Sequence, residues 1–144
     1  MTRLRLLLAG LPLGALALTG CGADSSAAPA SGAEHSSTMD VPGSELKRVT
    51  LSAHAVSRLG IETAEVAAAV GTRTSIPYSA VIYDVHGKAW TFVSTAGGSY
   101  TRAQITVADI RGDLAHLTSG PAVGTAVVTV GAAELYGTEL GVGK

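Results

Sequence analysis

The chain has 144 residues and a formal net charge of −1, with eleven acidic and ten basic side chains. This length suits one modest domain, and the balanced charge gives no reason to expect a nucleic-acid partner. A single cysteine excludes an internal disulfide and a multi-cysteine metal site. Eighteen glycines favour short strands joined by tight turns over long helices.

Residues 1–20 are predicted to be a lipoprotein signal peptide. Arg3 and Arg5 supply a positive start, and the apolar run over residues 6–18 is too short for a typical membrane span. The sequence Leu-Thr-Gly-Cys that ends at Cys21 resembles the bacterial lipobox, which implies cleavage before Cys21 and acylation of this residue. Several acyl chains anchor a protein stably, so we expect lipid anchoring at the extracytoplasmic face of the cell membrane. The alternative is an ordinary secretory leader followed by a buried cysteine.

Residues 21–44 are predicted to be the lipidated cysteine and a flexible linker. Serine, alanine, glycine and proline dominate this segment, which has too few bulky apolar residues to offset the entropy cost of ordering. As a coil it would span roughly 25–30 Å. His35 and Met39 lie in the linker and are weak candidates for transient binding of a soft metal such as copper. We expect no other metal site and no cofactor.

The folded domain is predicted over residues 45–144, beginning with a strand at residues 46–51. Ser52 is a candidate N-cap for a short helix over Ala53–Leu59 that Gly60 ends. Residues 61–66 alternate as a strand does, and residues 67–70 either continue that strand or start a helix.

The remaining elements are predicted from alternation and turn residues. A strand-like run containing Pro77 leads to a hairpin turn at residues 84–88, and Gly97-Gly98 forms the next turn. Residues 132–136 are either one helical turn or an irregular link. Further strands are predicted at residues 89–93, 100–107, 114–117 and 127–130. This spacing indicates a mostly β fold, a small antiparallel β-barrel or sandwich with one short helix.

No catalytic constellation is apparent in the sequence, and we expect a protein that is not an enzyme. The four histidines, at positions 35, 54, 86 and 116, have neither an HxH nor an HExxH spacing. Ser79 is not part of a GxSxG motif, and the carboxylates lie near turns, where solvated acids are common. Phosphate-binding glycine loops are missing as well.

Several segments in order resemble periplasmic adaptor subunits, the membrane fusion proteins of resistance-nodulation-division efflux pumps. Residues 76–84 (IPYSAVIYD), followed by Gly87 and residues 90–93 (WTFV), resemble the family's strand, hairpin and aromatic strand. Residues 119–132 (SGPAVGTAVVTVGA) resemble the signature SGLxxGxxVVxxGA, with Pro121 in place of leucine. Residues 49–52, 59–66 and 100–107 are similar to further segments of the same family.

The resemblance covers residues 46–140 and implies the membrane-proximal β-domain of a truncated adaptor. Only ten positions separate Val66 from Ile76, which leaves no room for the family's helical hairpin and lipoyl half-motifs. It therefore implies a lipid-anchored accessory protein that docks a transporter of the inner or cytoplasmic membrane without bond chemistry. The expected contact residues are Trp90, Phe92, Tyr100 and Arg102. The alternative is a free ligand- or metal-binding lipoprotein that uses the same β-domain.

Overall fold

The computed structural model describes residues 35–71 and 73–142, and within these ranges we find eleven strands in two antiparallel sheets and two α-helices. The predicted signal peptide at residues 1–20, Cys21 and the linker up to residue 34 lie outside the described residues.

The larger sheet has seven strands in the order β1-β2-β8-β7-β11-β3, with β6 paired to β7, and the smaller sheet has four in the order β4-β5-β10-β9. The helices are α1 (Ala53–Leu59) and α2 (Ala132–Glu139), and Tyr78–Ala80 forms one turn of 3-10 helix. The strands are β1 (Ser36–Asp40), β2 (Lys47–Leu51), β3 (Glu62–Glu65), β4 (Ala67–Ala68), β5 (Thr74–Pro77), β6 (Ile82–Tyr83), β7 (Ala89–Thr95), β8 (Ser99–Gln104), β9 (Thr106–Arg111), β10 (Leu114–Ser119) and β11 (Ala126–Val130).

The prediction of a mostly β, antiparallel fold is confirmed. Neither sheet closes on itself, because β1 and β3 are outer strands of the larger sheet and β4 and β9 are outer strands of the smaller one. Of the two architectures that the sequence left open, the sandwich is therefore correct. A second helix, α2, forms where the sequence allowed either a single helical turn or an irregular link.

The folded domain begins earlier than predicted. Ser36–Asp40 forms strand β1, which pairs antiparallel with β2 from Ser36 opposite Leu51 to Asp40 opposite Lys47. The linker prediction is therefore wrong for these residues. An outer strand takes its backbone hydrogen bonds from a single neighbour and does not need large buried side chains, so the polar composition that suggested a linker is compatible with pairing. The hairpin is closed by Val41 N, which donates to Leu46 O at 2.9 Å.

Helix α1 has the limits that the sequence predicted. The Ser52 hydroxyl accepts a hydrogen bond from Ala55 N at 3.2 Å, which satisfies one of the free N–H groups of the first turn. Gly60 ends the helix in the left-handed conformation with φ of 62°, which glycine adopts without a steric penalty.

The predicted strand over residues 100–107 is divided between the two sheets. Strand β8 belongs to the larger sheet and β9 to the smaller one, and the buried Ile105 lies at the corner between them. Ile105 N donates to Ala89 O at 3.0 Å, which fixes the corner against β7. Such bends let one continuous run of residues serve both layers of a sandwich.

Two buried apolar clusters lie on opposite faces of the larger sheet. Neighbouring residues of a strand point to opposite faces, and Val128 joins the first cluster while Val127 joins the second. The helices thus cover one face of the larger sheet and the smaller sheet covers the other. The first cluster contains Val49, Leu51, Ala55, Phe92, Tyr100, Val128, Ala132 and Leu135. The second contains Val66, Ile76, Ala80, Ile105, Ala115, Leu117 and Val127.

The β7–β8 turn contains two glycines, and Gly98 is required both for its backbone conformation and for the space that a side chain would fill. Gly97 and Gly98 both have positive φ, but only Gly98 packs against other backbone: Leu51 N donates to Gly98 O at 2.9 Å. A Cβ atom at position 98 would lie 2.8 Å from Leu51 O, whereas one at position 97 would meet nothing within 4 Å.

We therefore expect Gly98→Ala to destabilise the protein more than Gly97→Ala. In Gly97→Ala the only cost is that of placing alanine in the left-handed conformation, which should lower the free energy of unfolding by about 1 kcal/mol. Gly98→Ala must also displace strand β2, which adds roughly another 1 kcal/mol. Denaturant unfolding of the two variants measures this difference, and equal losses of stability would show that the contact with Leu51 is unimportant.

Candidate docking groove

A groove of about 730 Å³ opens on the larger sheet beside helix α2. It lies between the β1–β2 loop, the β6–β7 turn, strands β7 and β8, and α2. Its lining residues are Ser44, Glu45, Leu46, Asp84, Val85, His86, Lys88, Trp90, Arg102, Ala103, Gln104 and Tyr136.

The pairing of β7 with β8 brings the groove's central side chains together. Trp90 lies opposite Gln104, and Phe92 lies opposite Arg102. Positions two apart on a strand share a face, so all four side chains belong to the face that the helices cover. Tyr136, on α2, closes the groove beside Arg102.

Arg102 stacks between two aromatic rings. Its guanidinium carbon lies 4.7 Å from the centre of the Trp90 ring and 4.9 Å from that of Tyr136, within the range of a cation–π interaction. We call this arrangement the Trp90–Arg102–Tyr136 stack. Since an arginine guanidinium is planar and weakly hydrated, it suits a position between two rings better than a lysine would.

The charge of Arg102 is compensated inside the protein. Its Nε forms an ion pair with Glu139 Oε2 at 2.5 Å, and the Arg102 and Glu139 side chains are only 10% and 2% exposed. The other oxygen, Glu139 Oε1, accepts a hydrogen bond from Lys47 N at 3.2 Å. The pair therefore joins β8, α2 and β2 and fixes one wall of the groove.

Asp84 fixes the other wall through the β6–β7 turn, at the position where the sequence predicted a hairpin turn. Its Oδ1 accepts hydrogen bonds from His86 N at 2.8 Å and Lys88 N at 2.9 Å. Its Oδ2 accepts one from the Trp90 indole nitrogen Nε1 at 3.0 Å. Partial burial on its own raises the pKa of Asp84, but the hydrogen bonds from Lys88, Trp90 and His86 outweigh it, so the pKa lies below its ordinary value of 3.8.

Acidification is expected to release Trp90 from Asp84. Because the pKa of Asp84 is lower in the folded protein than in the unfolded chain, the carboxylate stabilises the turn above the unfolded value. This stabilisation is lost as pH falls through the folded-state pKa. Trp90 is the single tryptophan, so its fluorescence should change with a midpoint below pH 3.8.

Two variants check this assignment. Asp84→Asn should remove the fluorescence transition, whereas Asp113→Asn, in the exposed β9–β10 turn, should retain it. A transition with an unchanged midpoint in Asp84→Asn would contradict the role of Asp84.

Two of the four predicted contact residues are buried and not available to a partner. Phe92 is fully buried and Tyr100 is 4% exposed, because side chains of helices α1 and α2 pack in the same apolar cluster on their face of the sheet. Burial also raises the pKa of the Tyr100 phenol. The contact prediction is therefore wrong for Phe92 and Tyr100, while Trp90 and Arg102 both line the groove.

His35 and Met39 do not form a joint site. Residues four apart on an extended chain lie roughly 13 Å from each other, and Met39 is largely exposed on β1. The His35 ring instead faces the ring of His54, with 5.6 Å between the centres. In the part of the chain that the structure describes, no group of three or more His, Cys, Asp or Glu side chains is placed to bind a metal.

A second cavity, of about 480 Å³, lies at the smaller sheet and was not predicted from the sequence. Asp109 forms ion pairs there with Arg73 at 3.5 Å and Arg111 at 3.0 Å, and His116 lies opposite Asp109 on the neighbouring strand. These residues are scattered along the chain, and only the pairing of β5, β10 and β9 gathers them. The negative charge of Asp109 offsets one of the two arginine charges, so the positive charge at the cavity is smaller than the two arginines alone would give.

Neither helix of the described residues has the length and hydropathy that a membrane span requires. Comparisons with protein-family models, curated proteins and solved structures gave no match to this chain.

Proposed function

We propose that the chain is a lipid-anchored extracytoplasmic accessory protein that docks a membrane transporter through the groove. The observation that carries the proposal is the Trp90–Arg102–Tyr136 stack in the groove wall. Tryptophan, tyrosine and arginine are the residue types that most often dominate the energy of protein–protein contacts. Here they are held rigid before any partner binds, which lowers the entropy cost of association.

The bonding of Asp84 and Arg102 favours a binding role for the groove over a catalytic one. Asp84 already accepts three hydrogen bonds, and Arg102 is already paired with Glu139. These groups are engaged in holding the groove's shape and are not poised for proton transfer. The aromatic rings and the adjoining polar surface remain for a partner, which suits a protein segment.

The proposed anchor limits how far from the membrane the partner lies. A fully extended chain from Cys21 to Ser36, where β1 begins, spans at most about 50 Å. The start of β1 must therefore lie within this distance of the bilayer surface, and the groove must meet the extracytoplasmic part of a membrane protein.

Cys21→Ser tests the anchor by itself. It should block acylation, so that the intact mass no longer includes acyl groups, and it should weaken attachment to the membrane fraction. An unchanged mass and membrane fraction would refute the lipid anchor while leaving the groove's role open to test.

Co-purification tests the docking proposal. The full chain, solubilised in detergent after mild cross-linking in cells, should retain a transport protein of the membrane. Trp90→Ala and Tyr136→Ala should each reduce its recovery strongly, whereas Tyr78→Ala, which removes an exposed tyrosine outside the groove, should not. Equal recovery with all three variants, or recovery of the chain alone, would contradict docking through the groove.

A small-molecule ligand is the second candidate occupant. The groove's volume of about 730 Å³ falls within the roughly 300–1,000 Å³ that is usual for ligand pockets. In that case native mass spectrometry of the purified chain would detect a bound molecule that Trp90→Ala removes, and no transporter would be recovered.

A further inference from the structure

We propose that His35 and His54 form a binding site for one divalent first-row transition metal ion, with Cu²⁺ held more tightly than Zn²⁺. The two rings lie 5.6 Å apart between centres, with an angle of 47° between their planes. The site lies beyond the proposed groove and shares no residue with it. Its existence does not depend on the docking function.

The fold brings the two histidines together from separate segments. His35 directly precedes β1, and His54 lies in the first turn of α1. The β1–β2 pairing places Ser36 opposite Leu51, and Ser52 N donates to His35 O at 3.0 Å. The backbone of His35 is therefore hydrogen-bonded to the residue that begins the helix carrying His54.

The backbone of His54 is also held in place by contacts at the start of α1. The hydroxyl of Ser52 caps α1 by accepting from Ala55 N, and Ala55 is buried in the first apolar cluster. Ser52 thus joins the two ligand segments, through its N–H on one side and its Oγ on the other. Two imidazoles on such anchored backbones need little reordering to meet one ion.

The donor set determines the class of metal. Imidazole nitrogen suits copper, zinc and nickel, and affinity along the first-row series is greatest for Cu²⁺. His35 is half-buried and His54 is exposed, so water molecules can complete the coordination sphere. Met39, at the far end of β1, is too distant to contribute.

Titration of the full chain in detergent with CuCl₂ and with ZnCl₂ tests the site. By calorimetry we expect saturable binding of one Cu²⁺ per chain, weaker binding of Zn²⁺, and a Cu²⁺ electron paramagnetic resonance spectrum with nitrogen ligands. His35→Ala and His54→Ala should each weaken Cu²⁺ binding by about a hundredfold, because each removes the intramolecular second bond. The double variant should bind little more weakly than either single one.

His86→Ala and His116→Ala are the matched controls and should leave Cu²⁺ affinity unchanged. Cu²⁺ should also raise the midpoint of thermal unfolding in the unsubstituted chain and in both controls, but not in His54→Ala. Circular dichroism of His54→Ala without metal confirms that the variant is folded, since its side chain is exposed. Unchanged Cu²⁺ affinity in His54→Ala, or no saturable binding by the unsubstituted chain, would overturn the proposal.

Discussion

Glu139→Ala is expected to lower the free energy of unfolding by about 3–5 kcal/mol, the usual cost of removing one partner of a buried ion pair. The substitution leaves the Arg102 guanidinium 10% exposed and without its carboxylate. It also removes the acceptor of Lys47 N, where strand β2 begins. The stack with Trp90 and Tyr136 does not replace the lost charge, because an aromatic ring offers only a quadrupole.

Glu134→Ala is the matched control, because Glu134 lies in the same helix but is exposed. Its carboxylate lies in the first turn of α2, where it interacts favourably with the helix dipole, and we expect a loss of about 0.5 kcal/mol. Glu139→Gln should fall between the two, since the amide oxygen can still accept from Lys47 N. Guanidinium unfolding followed by the fluorescence of Trp90 measures all three. Equal losses for Glu139→Ala and Glu134→Ala would show that the pair does not hold the groove wall.

Leu117→Ala is expected to lower the free energy of unfolding by about 2–5 kcal/mol, through the lost transfer energy and the cavity that remains. Leu117 is fully buried on β10, among the residues that join the smaller sheet to the larger one. Its loss weakens the contact between the two layers of the sandwich, where Val127 and Ile76 are its neighbours in the cluster.

The matched control lies on the same strand. Leu114 is 44% exposed, so Leu114→Ala removes less buried surface and should cost less than about 1 kcal/mol. Both variants replace one leucine of β10 with alanine, so they differ only in how deeply the lost side chain is buried. If urea unfolding gave the same midpoint for the two, the layer contact at Leu117 would not contribute as described.

Local signals predicted those elements whose hydrogen bonds are themselves local. Helix α1 begins at the Ser52 cap and ends at Gly60, and the β6–β7 turn closes within a few residues of Asp84. The predicted strand at residues 89–93 is also present as part of β7, with Trp90 and Phe92 on one face. Alternation alone gave no indication that α2 covers Phe92 and leaves Trp90 at the groove.

Long-range pairings decided what the sequence did not predict. Strand β1 has a linker-like composition and is ordered by its pairing with β2. The groove wall depends on an ion pair between Arg102 and Glu139, far apart in the chain, with no motif that links them. The proximity of the His35 and His54 rings was not predicted, because they approach only through the β1–β2 register and the start of α1.

Site-specific photo-cross-linking in cells tests the central claim, docking of a membrane transporter through the groove, most directly. A photoreactive residue at Gln104, which is exposed and lines the groove, is compared with one at the exposed Thr118 on β10. We predict that position 104 cross-links to an integral membrane transport protein, that position 118 does not, and that Cys21→Ser abolishes the product. The same products from both positions, or cross-links from position 104 to soluble proteins only, would contradict the proposed function.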